Sequence, residues 1–226
     1  MKKLNVVITS GGTTEHIDDV RTMSNISSGK LGARIADKFI LDGHNVTYIA
    51  PKWSVMPSET NAGYMHLEVT NVESVMVAMS EYVPKAHVVI HPMAVSDFTF
   101  AYKGNVKCGS NSTEDFIKHM AKTIRATPKV ISHFREWNAK AILVGFKFTS
   151  GKTEGELLSI AKTLRYTNNL DLVFANDMQL MIEAGNHVGM LIGTESVHRC
   201  YSKVEITDQI FADVMHISEF RFKAIS

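Results

Sequence analysis

Cysteine is nearly absent from this chain, which has only Cys108 and Cys200 among its 226 residues. The two are far apart and in unrelated contexts, so neither a disulfide framework nor a zinc site is indicated, and a reducing cytoplasm fits. Excess charge is absent as well. The formal net charge is +1, which leaves no basic footprint for nucleic acid. No apolar run approaches the roughly 20 residues needed to cross a bilayer. The opening Met1-Lys2-Lys3 followed by Leu4–Thr9 has the order of charges and apolar residues seen in a signal peptide. The apolar run is short, however, and Gly11-Gly12 follows instead of a small-residue cleavage site, so it reads as a buried first strand. There is no internal repeat, no low-complexity tract and no G-x-G-x-x-G dinucleotide fingerprint.

What remains is ordinary for a globular protein, with 45% hydrophobic and 21% charged residues. The length suits one α/β domain, taken here as residues 1–226. Short β-branched runs alternate with amphipathic stretches. Leu4–Thr9, Asn45–Ala50, Met65–Val69, His87–Pro92, Ala141–Phe146 and Leu170–Ala175 read as strands. Helices are predicted over Lys30–Leu41, with Leu31, Ile35, Phe39 and Ile40 at helical spacing, and over Val72–Val83 and Pro128–Trp137. Two more are predicted over Thr153–Arg165 and Thr207–Ile217, and Thr153 with Glu156 makes a capping box. Strands that are apolar on both faces and separated by helices imply a doubly wound, mostly parallel sheet with helices on both faces, a Rossmann-like α/β fold. Ligands of such folds bind at the carboxyl ends of the strands. The stretches Pro51–Tyr64 and Phe98–Ser112 read as long loops, the second placed to act as a lid.

Five motifs fall at those strand ends. Thr9-Ser10-Gly11-Gly12-Thr13-Thr14-Glu15 follows the first strand, where glycine amides and hydroxyls suit a phosphate; a plain tight turn explains it equally well. Ser27-Ser28-Gly29-Lys30 opens a helix and gathers hydroxyls, free N–H groups and a positive dipole end, which suits an anion, although a serine-rich cap with a solvated lysine would look the same. It is not a Walker A loop, which needs glycine at Ser24 and Ser or Thr at Leu31. His91-Pro92-Met93-Ala94-Val95-Ser96-Asp97-Phe98 offers Asp97 for a ribose, a base or a metal, while His91 inside an apolar strand reads as a core residue. Val144-Gly145-Phe146-Lys147-Phe148 offers an aromatic for a base and a lysine for a phosphate, or else core aromatics beside a surface lysine. Asn176 and Asp177 close the set. Each is weak alone; their shared position is the signal.

In this order the motifs resemble phosphopantothenoylcysteine synthetase. The resemblance rests on Gly11-Gly12-Thr13-Thr14-Glu15, on the complete match of Arg-x-x-x-Asn-x-Ser-Ser-Gly-Lys-x-Gly from Arg21 to Gly32, on Ala94–Phe98, on Val144–Phe146 and on Ala175–Asp177, with Asn186 before a late strand. It spans nearly the whole chain. It implies a ligase that joins 4′-phosphopantothenate to cysteine through an acyl-nucleotidylate, using Mg²⁺ and a nucleoside triphosphate, with CTP expected and ATP the alternative. It also implies a cytoplasmic homodimer, and a stand-alone synthetase without the fused flavin-dependent decarboxylase. By the same resemblance Asn25 holds the activated acyl group, Arg21 belongs to that substrate-side constellation, and Lys107 is the lid lysine that stabilises developing charge. Gly11, Gly12, Thr13, Ser28, Gly29 and Lys30 fall on the phosphate side, and Ala94, Asp97 and Phe146 on the nucleotide side. No metal ligand is assigned.

Three departures stand out. Leu164 and Asn168 occupy positions where the family commonly carries triphosphate-binding lysines, with Lys162 and Arg165 nearby. The segment from Lys103 to Cys108 is less basic than its family counterpart. Lys147-Phe148-Thr149-Ser150 replaces a common Ala-Ala-Glu-Thr. A nucleotide- or phosphopantetheine-binding paralogue without turnover is therefore the second reading. A nicotinamide-dependent oxidoreductase, which the fold alone would permit, is the third.

Overall fold

The computed structural model describes residues 3–101 and 112–222. In chain order its elements begin β1 (Asn5–Thr9), β2 (Thr14–His16), β3 (Thr22–Ser24), α1 (Lys30–Leu41), β4 (Asn45–Ala50), β5 (Tyr64–Glu68), α2 (Val72–Tyr82), β6 (Val88–His91) and β7 (Phe98–Phe100). They continue with α3 (Thr113–Thr123), β8 (Ile124–Ala126), α4 (Phe134–Trp137), β9 (Ile142–Thr149), α5 (Glu154–Thr167), β10 (Leu172–Asp177), α6 (Met178–Ala184), β11 (Gly189–Ile192), β12 (Val197–Cys200) and α7 (Lys203–Phe222).

Eight strands form one sheet in the order β12-β11-β10-β9-β6-β1-β4-β5. The six from β10 to β5 run parallel, and β11 and β12 add an antiparallel edge. The side-chain alternation of β1 divides the core. Val6 and Ile8 pack with α1 and α7, through Ile35, Phe39, Ile206 and Ile210. Val7 packs on the other face with α2 and α5, through Val75, Met79, Leu157 and Ala161. Both faces are thus covered, and the doubly wound α/β arrangement expected from the sequence is the one observed.

Several helix starts follow their local chemistry. Thr153 and Glu156 form the expected capping box at α5. Asn71 and Ser74 form another at α2. At α7, Ser202 Oγ accepts from the Glu205 N–H at 3.2 Å, and Glu205 accepts from the Tyr201 N–H at 2.9 Å. The closing helix therefore starts four residues earlier than its apolar spacing suggested, at Lys203. Its far end is fixed by Asp171, which accepts from Arg221 Nη2 at 2.5 Å, Arg135 Nη2 at 3.2 Å and the Leu143 N–H at 2.8 Å.

Other expectations are corrected. Pro128–Trp137 is not one helix: Thr127 binds the Ser96 and Asp97 carbonyls and the chain stays extended through Lys129, followed by a short 3₁₀ turn and the single turn of α4. The strand read as Leu170–Ala175 is displaced to Leu172–Asp177, and its partner β9 runs on to Thr149, because the two stay paired through Asp177↔Thr149. The Phe98–Ser112 stretch is not wholly irregular, since Phe98–Phe100 pairs with Ile124–Ala126. Lys103, Lys107 and Cys108 lie outside the described residues. Cys200 is free and buried, and burial pushes its thiol up to about 11, so it remains protonated.

Candidate active site

The chain leaves β1 for β4 and β5 on one side, then returns to β6 on the other side of β1. The carboxyl ends of β1 and β6 are therefore the switch point of the sheet, where doubly wound folds bind ligands. Here the two connections are stitched together. The Ala94 N–H donates to the Gly11 carbonyl at 2.9 Å and the Thr13 N–H to the Ala94 carbonyl at 3.1 Å. Thr13 Oγ1 exchanges hydrogen bonds with Ser96, accepting from its N–H at 2.8 Å and donating to its Oγ at 3.0 Å. Thr13 is fully buried, so its hydroxyl staples two loops together.

A cleft of about 470 Å³ opens above this junction, walled by Ser10, by Ser27–Gly32, by Pro92–Ala94, by Phe146–Phe148 and by Asn176. The start of α1 forms one wall. Gly29 adopts φ 77 and no side chain caps the helix, leaving its first-turn N–H groups and dipole end open to the cleft. Only glycine fits there: a Cβ on Gly29 would lie 2.0 Å from Ser54 Oγ. Lys30, Lys147 and Lys203 line the cleft, and no Asp or Glu does among the described residues. A cavity of about 500 Å³ adjoins it and shares the wall of Met93, Phe146 and Lys147. This second cavity contains Asp97, which is ion-paired with Lys129, and its far side carries Leu164 and Asn168 of α5. Phe146 is held by Phe174, with ring centroids 5.7 Å apart.

The expected site residues therefore divide. Ser28, Gly29, Lys30, Ala94 and Phe146 line the cleft, and Asp97 lines the neighbouring cavity. Gly11, Gly12 and Thr13 lie behind the cleft as the packing that joins β1 to β6. Asn25 is half-buried, one residue before the rim residue Ile26, and its N–H donates to the Thr13 carbonyl at 3.3 Å. Arg21 lines neither cavity. It sits on the β2–β3 hairpin with its guanidinium 5.1 Å from the Phe116 ring centre and 3.5 Å from Asp18. Lys107 lies outside the described residues. Lys129, His187 and Lys203 were not singled out from sequence; each is a lone polar residue in an unremarkable local pattern, and only the fold brings them to the cavities.

A family model, the DNA/pantothenate metabolism flavoprotein C-terminal domain, matches residues 1–217. The chain belongs to this family. A coenzyme A biosynthesis bifunctional protein CoaBC from Thermococcus kodakarensis is 32% identical over 213 residues, which cover 92% of this chain and 50% of that protein. The chain thus spans about half the length of the curated relatives it matches. The crystal structure of the DNA/pantothenate metabolism flavoprotein from Streptococcus pneumoniae aligns with a TM-score of 0.81 at 31% identity, covering 95% of this chain and 99% of that one. A histidine-to-alanine mutant of Cab2 in complex with phosphopantothenate-cysteine shares the fold, with a TM-score of 0.74 at 19% identity, covering 97% and 87%.

Two polar residues near the family motifs have structural duties. Asp177 is buried and accepts from Thr149 Oγ1 at 2.7 Å and from the N–H groups of Gly151, Lys152 and Gln179 at 3.2, 3.0 and 2.9 Å. Burial alone would push its carboxyl up; these hydrogen bonds outweigh that and hold it at about 2. His91 is buried against the edge of Phe134, with Nδ1 2.7 Å from Thr9 Oγ1, and burial depresses it from 6.5 to about 4. It is thus the core residue that its apolar strand suggested.

That depression has a pH consequence. The unfolded histidine takes up its proton as pH falls below 6.5, whereas the folded one resists until about 4, so stability is lost across that interval. The expected loss between pH 7 and pH 4 through His91 is roughly 3 kcal/mol. Denaturant titrations at both pH values should show a smaller pH difference in His91→Gln than in the wild type. An equal difference in the two proteins would contradict the assignment.

Proposed function

We propose that residues 1–226 form one phosphopantothenoylcysteine-synthetase-like domain that joins 4′-phosphopantothenate and cysteine through an acyl-nucleotidylate. The observation that carries this reading is the pair of adjoining cavities at the switch point. One has an open helix start and three lysines without an acidic residue, and the other has Asp97 and an aromatic wall. An anionic substrate and a nucleotide fit such a pair, and the family's relatives named for coenzyme A biosynthesis support it. Asn25 at the rim holds the activated acyl group for attack by cysteine, with Arg21 on the same substrate side. A lysine from the segment containing Lys107 adds positive charge as the nucleotide reacts. CTP is the proposed nucleotide.

Mg²⁺ fits this site as the nucleotide's companion. No group of three or more His, Cys, Asp or Glu that could hold a metal is found among the described residues. Asp97 is the single carboxylate on the described walls of the two cavities. Magnesium commonly binds through one or two carboxylates together with substrate phosphates, and Asp97 suits that role. There the ion would offset charge on the phosphates. Among the described residues no helix is long and apolar enough to cross a membrane. We place the enzyme in the cytoplasm, as a homodimer.

Incubation with 4′-phosphopantothenate, cysteine, Mg²⁺ and either CTP or ATP tests the reading. The expected products are pyrophosphate and the amide. Nucleotide binding without pyrophosphate would instead support a paralogue without turnover, for which the uncharged Leu164 and Asn168 wall is the favouring observation.

A further inference from the structure

Lys147 stands at the junction of the two cavities and lines both. It is half-buried on β9, beyond the pairing of Gly145 with His91 and opposite Ala175 of β10. No ion pair or hydrogen bond engages its ammonium group among the described residues. Half-buried cations are normally offset by a partner, because removal from water costs more than stray fields return. The nearby acidic group, Asp97, is already committed to Lys129. The far wall of the same cavity, Leu164 and Asn168, carries no charge. Asn168 is moreover turned back on its own helix, donating from Nδ2 to the Leu164 carbonyl at 3.0 Å.

A nucleotide whose sugar lies near Asp97 and whose phosphates reach toward the start of α1 must cross the wall formed by Met93, Phe146 and Lys147. We infer that Lys147 is the phosphate-chain ligand of the nucleotide in this protein, replacing cations that α5 does not supply. The inference rests on the nucleotide reading above and assigns one of its binding residues. Lys129 serves differently: by neutralising Asp97 it keeps that cavity from repelling the incoming polyphosphate. Lys30 and Lys203 are the remaining cations of the cleft and lie on its α1 and α7 sides.

The test is calorimetric binding of Mg·CTP, Mg·ATP and CMP to the wild type, Lys147→Met and Lys147→Arg. Methionine retains a long apolar stem without the charge, and arginine retains the charge, so a merely packed stem and a phosphate ligand give different results. The expected outcome is about a tenfold loss of triphosphate affinity in Lys147→Met, less than a twofold loss for CMP, and near wild-type binding in Lys147→Arg. Thermal melting of each variant controls for folding. Unchanged triphosphate binding in Lys147→Met would overturn the inference while leaving the nucleotide reading intact. Equal losses for CTP and CMP would overturn it too, by assigning Lys147 to the monophosphate portion. A wild type that binds neither triphosphate would overturn the reading and the inference together.

Discussion

Asn25→Asp is expected to abolish amide formation while activation of the carboxylate continues. Asparagine is neutral and offers both a carbonyl acceptor and two N–H donors, so it can hold a polar acyl group without charge. Aspartate keeps the shape, loses the donors and adds a negative charge. That charge would sit beside Ile26–Lys30, the wall that the helix start of α1 makes suitable for anions. An acyl-nucleotidylate is itself anionic, so the variant repels the intermediate that the wild type holds. Removing one preorganised donor of this kind typically costs 10²–10³ in rate. The additional like-charge repulsion places the expected loss at the upper end of that range or beyond. Two readings on one reaction mixture separate the steps. Pyrophosphate formed in a single turnover without cysteine should remain close to the wild type, and amide formed after cysteine is added should fall at least a hundredfold. Amide at the wild-type rate would remove Asn25 from the chemistry. Loss of both steps together would make it a substrate-binding residue instead.

The sequence reads well where chemistry is local and periodic. The parallel strands are legible because burial on both faces demands continuous β-branched runs such as Val6–Ile8 and Val88–Ile90. The α5 start is legible because Thr153 and Glu156 lie three residues apart. Short hairpins are not. The three-residue strands of β2–β3 and β7–β8 carry little apolar pattern and are fixed by pairing partners elsewhere in the chain. The antiparallel edge β11–β12 was missed for a similar reason, since its strands are only four residues long and alternate polar with apolar residues at the outer one. At the site, strand ends announced Ala94, Asp97 and Phe146, because position alone makes them candidates. Whether a motif residue faces the ligand or the packing behind it depends on contacts between segments. Thr13 and Ser96 are 83 positions apart, and their mutual hydrogen bonds turn an apparent phosphate-binding threonine inward.

Gly12 illustrates the same division, and substituting it is expected to be nearly as damaging as changing Asn25. It lies on no cavity wall, yet a Cβ built on it would sit 2.5 Å from the Asn25 carbonyl oxygen and 3.3 Å from its carbonyl carbon. Backbone atoms cannot rotate away as a side chain can, so Gly12→Ala must displace the Asn25 segment or the β1 connection itself. The connection is held on its other side by the bridge to Ala94 and by the Ala94 N–H bond to Gly11. Asn25 is held by one longer bond, 3.3 Å to the Thr13 carbonyl. The weaker restraint yields, and Asn25 moves. A displacement of about 1 Å at a reacting group costs on the order of 10²-fold in rate, and overpacking of this kind costs about 1–3 kcal/mol of stability. Gly155→Ala is the control, because a Cβ there meets nothing within 4 Å, and an exposed helical alanine is stabilising by up to about 1 kcal/mol. Steady-state amide formation should therefore fall about a hundredfold in Gly12→Ala and stay unchanged in Gly155→Ala, with triphosphate binding preserved in both. The decisive comparison is the double variant. If Gly12 acts by seating Asn25, then adding Gly12→Ala to Asn25→Asp should cost little further activity, since a misplaced aspartate is hardly worse than a well-placed one. Losses that multiply would mean that Gly12 serves the reaction through some contact other than Asn25.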